Sequence, residues 1–271
     1  MPKHKSIPTF EIIIPIGNIS VGNTKTRLSS NLNELQRKNL TIWLLNHVVT
    51  NSYNAFNQLK IKPSIVILGN SYPPSQLDYI SHIYSIKNQI PIKELGQNLN
   101  ESLQQYIHVS QTTNKLILPA DLGMLETTDI LQFVQKSNDF KTPVIAKATK
   151  DNGTNGILLP MKNNFQFSFG ENSFDSHIKI LNKYEEINSP GVNYDIDDHS
   201  DLIELMKIND NIRNVLDTKG KIVIPINKFR DVGTEIKVKS KCDTFRLLKN
   251  IELKESQNII YYNTSIDISI H

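Results

Sequence analysis

The chain has a single cysteine, Cys242, among its 271 residues. That excludes an intramolecular disulfide and a cysteine-based zinc site. Long hydrophobic runs are missing too, with none near the roughly 18 apolar residues of a membrane-spanning helix. Basic residues precede an apolar stretch at the amino terminus, as in a secretory leader. The stretch is short, carries Glu11 and is broken by Pro15, so no leader and a cytoplasmic location are expected. An excess of one charge is scarce as well, at net +3 from 30 basic and 27 acidic residues. Residues 219–271 hold ten Lys/Arg against six Asp/Glu, which leaves twenty against twenty-one in residues 1–218. A body that close to neutral lacks the basic stripe of a nucleic-acid groove. The seven histidines show no metal-ligand spacing; His177 and His199 fall near candidate sites without an assigned role. No G-x-S-x-G elbow is present, so a serine-hydrolase reading has no support.

What is present alternates between two kinds of pattern. Phe10–Ile14, "SIVILG" at 64–69 and "KLILPAD" at 115–121 are continuous apolar runs that read as buried strands. Between and after them, "NLNELQRKNLTIWLLNHVVTNSYNAF", "LNESLQQYIHVS" and "TTDILQFVQKS" repeat apolar residues at helical spacing. Asn31 with Glu34 reads as a capping box at the start of the first helix. "TPVIAKA" and "GTNGILLP" add further strands. The alternation predicts a three-layer α/β fold around a mostly parallel sheet, whose ligands lie beyond the carboxyl ends of the strands. The loops after Ile14 and Leu118 are therefore the expected places for chemistry. From about Asp217 the long helices stop, and residues 219–271 read as a small β-rich appendage to a 1–218 domain.

The loop after the first strand nearly forms a phosphate-binding P-loop. Gly17 and Gly22 have the spacing of G-x-x-x-x-G-K-[ST], but Lys25-Thr26 comes two residues late. Asp121 ends the third strand at the expected ligand edge, where a carboxylate suits a hard cation. In "NYDIDDHSDL", Asp195 and Asp197 are two apart, so in an extended segment they share a face. The competing reading makes this a helix start, with Asp198 or Ser200 as cap. "DNGTNGILLP" offers Thr154 and neighbouring amides to an anion. "FSFGENSFDSH" offers Gly170 and Ser173 just before a probable helix, whose free amides favour phosphate or carboxylate. Each is also an ordinary turn.

In order, "IPIG", "TKTRL", "NLNESL", "LPADLGML", "DNGTNGILL", "FGENSFDSH" and "DIDDHSDL" resemble the 2-phospho-L-lactate guanylyltransferase family, with its phosphoenolpyruvate guanylyltransferase relatives. These belong to the MobA-like nucleotidyltransferase superfamily and serve coenzyme F-420 biosynthesis. The resemblance covers about residues 10–210 and implies a sheet of nucleotide-diphospho-sugar-transferase type. It implies transfer of GMP from GTP to a phosphorylated three-carbon acid (2-phospho-L-lactate, phosphoenolpyruvate or 3-phosphoglycerate), with loss of pyrophosphate. By the same resemblance Lys25 and Arg27 meet the triphosphate, Pro15 and Gly17 frame the nucleotide, and Asn100 lies near the nucleobase. Asp121, Asp195 and Asp197 hold Mg²⁺, while Thr154, Gly170 and Ser173 contact the acid. Gly17 stands where relatives commonly have lysine, and Gly123 replaces the proline of P-A-D-x-P, which is expected to loosen that loop.

Two alternatives stand beside this reading: a nucleotidyltransferase acting on molybdopterin or a sugar phosphate, and a non-catalytic nucleotide-binding protein. The basic tail is a candidate dock for the downstream transferase or for a second copy of the chain in a homodimer. Covering an exposed edge of the core is the equal alternative.

Overall fold

The computed structural model describes residues 10–17, 24–61, 64–69, 92–93, 98–109, 113–161, 164–217, 222–226, 237–239, 244–246 and 259–263. Gly22 and Cys242 lie outside the described residues. A seven-stranded sheet forms the centre, built from β1 (Phe10–Ile16), β2 (Ser64–Gly69), β3 (Ile92–Lys93), β4 (Asn114–Ile117), β5 (Val144–Lys147), β6 (Thr154–Leu159) and β7 (Glu185–Ile187). Their spatial order is β3-β2-β1-β4-β6-β5-β7. The pairs β1–β2, β1–β4, β2–β3 and β5–β7 are parallel. Only β6 runs against its neighbours, β4 and β5, so the expected mostly parallel sheet is observed with one reversed strand.

Every residue of β1 is buried, as a strand covered on both faces requires. Its side chains alternate between two cores. Phe10, Ile12, Ile14 and Ile16 pack with residues of α1 (Glu34–Gln58) and α3 (Thr127–Lys136), among them Ile42, Leu45, Phe56, Ile130 and Phe133. Ile13 points the other way, to Leu103 and Ile107 of α2 (Leu99–Val109) and Phe174 of α4 (Ser173–Leu181). Those are the three layers. α5 (Pro190–Asn193) is a single turn with proline at its first position.

A third core lies beside the sheet and matters most for the site. Leu28, of a 3₁₀ turn at Thr26–Leu28, packs with Trp43 and Leu44 of α1. Ile196, Leu202 and Leu205 join it from the segment before α6 (His199–Ile208) and from α6 itself, and Ile212 and Val215 join from α7 (Asn211–Leu216). Burying Leu28 and Ile196 together brings Lys25 near the Asp195–Asp197 segment.

One helix start moves. The capping box of α1 is formed by Asn33 and Gln36: the Gln36 N–H donates to Asn33 Oδ1 and the Asn33 N–H to Gln36 Oε1, both at 2.9 Å. The expected Asn31–Glu34 pair has the same spacing, but the Asn31 N–H is already bonded to the Leu28 carbonyl in the preceding turn. Buried Leu32 closes that turn, and the helix starts after it. Among the described residues of 219–271 there are only strands: β8 (Ile222–Ile226) pairs parallel with β11 (Ile259–Asn263), and β9 (Lys237–Lys239) antiparallel with β10 (Thr244–Arg246). No helix among the described residues is long and apolar enough to cross a membrane.

Candidate active site

The ends of β1 and β4 are stitched together past the formal end of β4. The Leu118 N–H donates to the Ile13 carbonyl and the Ala120 N–H to the Pro15 carbonyl. This carries the chain straight to Asp121. The Asp121 carbonyl then accepts the Ile196 N–H at 3.1 Å, which fastens the DID segment alongside. With the Ile196 side chain fully buried, Asp195 and Asp197 turn to the opposite side, as the two-residue period requires. One carboxylate oxygen from each of Asp121, Asp195 and Asp197 lies within 4.8 Å of the others, and together they could hold a metal ion.

Gly123 is what lets these pieces close up. A β-carbon there would lie 2.7 Å from Ile196 Cγ1 and 2.9 Å from Leu44 Cδ2. Gly123, expected to loosen this loop, instead is the residue over which Ile196 packs.

Lys25 takes left-handed backbone angles (φ 51°, ψ 46°) just before the 3₁₀ turn. Its amine lies 2.8 Å from Asp121 Oδ2 and 2.9 Å from Asp197 Oδ1, with only 9% of the side chain exposed. Arg27 reaches Asp197 Oδ2 at 3.1 Å from a side chain that is 74% exposed. Burial opposes the charge on Lys25, but the Asp121 and Asp197 carboxylates outweigh it and hold the amine above its ordinary range. Burial alone would raise Asp197 too; Lys25 and Arg27 reverse this and the net shift is downward. Asp195 has no such cation. Burial, then the charges of Asp121 and Asp197, push it up to about 6, against one hydrogen bond from Asn155.

Pro15, Gly17, Lys25, Arg27, Asp121 and Asp197 line one cavity of about 670 Å³, which Phe169, Leu99 and Ser102 close from the α2 side. Asn100 does not line it. Its amide clamps the backbone of Phe169 instead, donating to the carbonyl at 3.1 Å and accepting from the N–H at 2.7 Å. Thr154, Gly170 and Ser173 form a second group off the cavity wall. Thr154 Oγ1 lies 2.9 Å from Nδ1 of the fully buried His177, whose Nε2 accepts the Ser168 N–H. Nε2 being an acceptor, the ring proton sits on Nδ1 and is donated to Thr154. Burial pushes His177 down to about 4, so the ring is neutral. Ser173 is 1% exposed and its Oγ has no hydrogen-bond partner among the described residues. Gly170 has φ +134°, a conformation that only glycine adopts readily. The two groups meet at the start of β6, where Thr154 binds His177 and the adjacent Asn155 binds Asp195.

A family model described as "Guanylyl transferase CofC like" matches residues 10–241. The chain belongs to this family. It is accordingly a nucleotidyltransferase, and the matched segment runs past residue 218 into the β-rich tail. The 2-phospho-L-lactate guanylyltransferase of Methanocaldococcus fervens is 26% identical over 206 residues, covering 74% of this chain and 87% of that protein. The phosphoenolpyruvate guanylyltransferase of Chloroflexus aurantiacus is 26% identical over 191 residues, covering 69% and 89%. Among solved structures, a Desulfovibrio desulfuricans G20 protein assigned to the nucleotide-diphospho-sugar transferases superposes with a TM-score of 0.52 at 14% identity, covering 77% of this chain and 98% of that one. That likeness concerns the fold.

Three further residues support the site and were not singled out from the sequence. Asn155 donates to Asp195 Oδ1 at 3.2 Å. Asp201 Oδ2 accepts the backbone N–H groups of both Asp197 and Asp198 at 2.9 Å, while Asp198 caps α6 as one reading of the sequence had it. Lys150 bridges Asp198 and Asp201 from the β5–β6 turn. The available signal for Asp201 was its place three residues after the Asp198 cap, and for Asn155 its place beside Thr154 in the GTN motif.

Proposed function

We propose that this chain transfers GMP from GTP to the phosphate of a phosphorylated three-carbon acid, releasing pyrophosphate, in the making of coenzyme F-420. The observation that carries this reading is the meeting of Lys25, Arg27, Asp121 and Asp197 at one cavity, with Asp195 completing the carboxylate cluster beside it, in a chain of the guanylyl transferase family. The acid is 2-phospho-L-lactate, phosphoenolpyruvate or 3-phosphoglycerate; relatives named for the first two support that class.

The bond that forms joins a phosphate oxygen of the acid to the α-phosphorus of GTP, and the bond that breaks leads from that phosphorus to the β-phosphate. The attacking oxygen is anionic near neutral pH, so no side chain needs to remove a proton. Catalysis then rests on positioning and charge. The Pro15–Gly17 backbone frames the nucleotide, and Asn100 acts on its base through the Phe169 backbone. Lys25 and Arg27 neutralise the triphosphate and the departing pyrophosphate. Asp121, Asp195 and Asp197 fit a magnesium ion: all donors are oxygens, and octahedral ligands at about 2.1 Å lie roughly 3 to 4 Å apart, a small movement from the observed cluster. When bound, the ion supplies neutralisation of charge on the α-phosphate.

Thr154, Gly170 and Ser173 receive the acid. His177 donates to Thr154 Oγ1, which leaves the Thr154 hydroxyl hydrogen for the acid. The Ser173 hydroxyl, unpartnered among the described residues, offers a second donor at the amino end of α4, where the Ser173 and Phe174 N–H groups are already bonded to the Gly170 and Asn152 carbonyls. The reaction is placed in residues 1–218. The tail is assigned to docking the next transferase or a second copy, which truncation at 218 tests by pull-down and oligomeric state.

Pyrophosphate release with GTP and Mg²⁺, offering each of the three acids separately, tests the function. Release with one acid fixes reaction and acceptor together. Silence with all three, from folded protein that still binds GTP, would refute the reading.

A further inference from the structure

A lysine that serves only a triphosphate would present its amine to the open cavity. The Lys25 amine instead lies between Asp121 and Asp197, at 2.8 and 2.9 Å, in hydrogen-bond contact with two of the three carboxylates that converge. An ammonium ion there takes up one oxygen of each of these two carboxylates and places a positive charge beside the point where a divalent ion would sit. The other lone pairs stay open to a metal, so the two cations oppose one another through like charge and through the shared oxygens.

The backbone around Lys25 is anchored on both sides, so any exchange falls to the side chain. The Thr24 carbonyl accepts from Arg37 Nε at 3.2 Å. The Leu28 N–H bonds to the Lys25 carbonyl at 2.9 Å, and the Leu28 side chain is fully buried in the third core. What can swing is the four-carbon stem, which ends at the wall of the nucleotide cavity. Arg27 is different: among the described residues it pairs with Asp197 and not with Asp121, from an exposed side chain.

We propose that the Lys25 amine is the built-in counter-ion of the carboxylate cluster in the metal-free protein, and that a divalent ion and this amine compete there. The inference rests on the metal-binding reading of the cluster. Its consequence is an order of events. Without nucleotide the cluster is satisfied by Lys25 and binds metal weakly. A triphosphate draws the amine off Asp121 and Asp197, and the freed oxygens take the metal. One side chain thus serves the carboxylates and the phosphates in turn, and the metal site is complete only when nucleotide is present.

The test is Mn²⁺ binding followed by electron paramagnetic resonance, without nucleotide, on the full chain and on Lys25→Met and Lys25→Arg. Lys25→Met is expected to bind Mn²⁺ at least tenfold more tightly than the wild type. Lys25→Arg keeps a cation on the carboxylates and is expected to bind as weakly as the wild type. Equal or weaker binding by Lys25→Met would overturn the proposal, as would a gain by Lys25→Arg equal to that of Lys25→Met. Removing the amine leaves facing carboxylates, so thermal melts accompany the titration. Lys25→Met is expected to melt lower than the wild type in metal-free buffer and to gain more from Mn²⁺; the reverse pattern also overturns the proposal. Asp195→Asn, which does not touch Lys25, separates the two readings. If it leaves Mn²⁺ affinity in the Lys25→Met background unchanged, the cluster is not the metal site and the inference falls with that reading.

Discussion

Gly123→Ala adds one methyl group and should damage both fold and turnover. Gly123 does not take positive φ, so alanine imposes no backbone strain and the cost is steric. The new carbon would meet Ile196 Cγ1 at 2.7 Å, Leu44 Cδ2 at 2.9 Å and Leu205 Cδ2 at 3.1 Å. Ordinary carbon contacts are about 3.5 to 4.0 Å, so Ile196 must retreat by roughly 1 Å. Overpacking of this kind costs about 1 to 3 kcal/mol. Ile196 cannot retreat alone, because it stands between Asp195 and Asp197 and its N–H is bonded to the Asp121 carbonyl. A shift of about 1 Å in reacting geometry lowers turnover by up to about 10²-fold. Urea denaturation measures the first effect and pyrophosphate release the second. Gly17→Ala is the control for stability, since a β-carbon there meets nothing within 4 Å among the described residues. A Gly123→Ala protein within about 0.5 kcal/mol of wild type and with unchanged turnover would refute the reasoning.

Asp121→Ala should remain folded, as judged by its melt, yet lose on the order of 10³-fold in turnover; more than half of normal turnover would contradict its role. Ser173→Ala should raise KM for the acid while leaving KM for GTP unchanged, because Ser173 is assigned to the acid and does not line the nucleotide cavity; steady-state kinetics with each substrate varied decides this. For pH, His177 is buried and neutral with its pKa lowered to about 4 from 6.5. The unfolded chain takes up the proton first on acidification, so this contribution to stability is whole above about pH 6.5 and is lost as pH falls toward 4, by at most about 3 kcal/mol. Urea midpoints at pH 7.5 and 5 should show the loss, and His177→Gln should flatten that part of the profile.

Local signals carried much of the fold into the sequence. β1, β2 and β4 were legible as continuous apolar runs, because a strand buried on both faces has no polar side to show. Asp195 and Asp197 were legible as a pair for an equally local reason, the two-residue period of an extended chain. The start of α1 was not, since Asn31–Glu34 and Asn33–Gln36 have the same spacing and only the burial of Leu32 and the turn bond of Asn31 choose between them. Side-chain partners were the least legible. Lys25 bonds Asp197 across 172 residues, and Asn100 spends its amide on a backbone 69 residues away. Nothing near either residue in sequence encodes such a distance.

The reversed strand explains why half of the site was read from loops and half from a turn into a strand. In a parallel sheet each strand delivers chemistry where it ends, and β1 and β4 do so at Gly17 and Asp121. β6 runs against β4, with Ile157 opposite Ile117 and Leu159 opposite Lys115, so its first residues lie at the edge where β4 finishes. A strand that starts at the ligand edge offers adjacent residues to both of its sides. Asn155 goes to Asp195 and Thr154 to His177. A single step along β6 thus links the carboxylate cluster to the residues assigned to the acid. Displacing β6 by one residue would exchange the two side chains between its faces. The register shift at its start, where Ala146 of β5 faces Gly156 but Lys147 faces Thr154, leaves Asn155 as the extra residue of β6, and both halves of the site depend on that register.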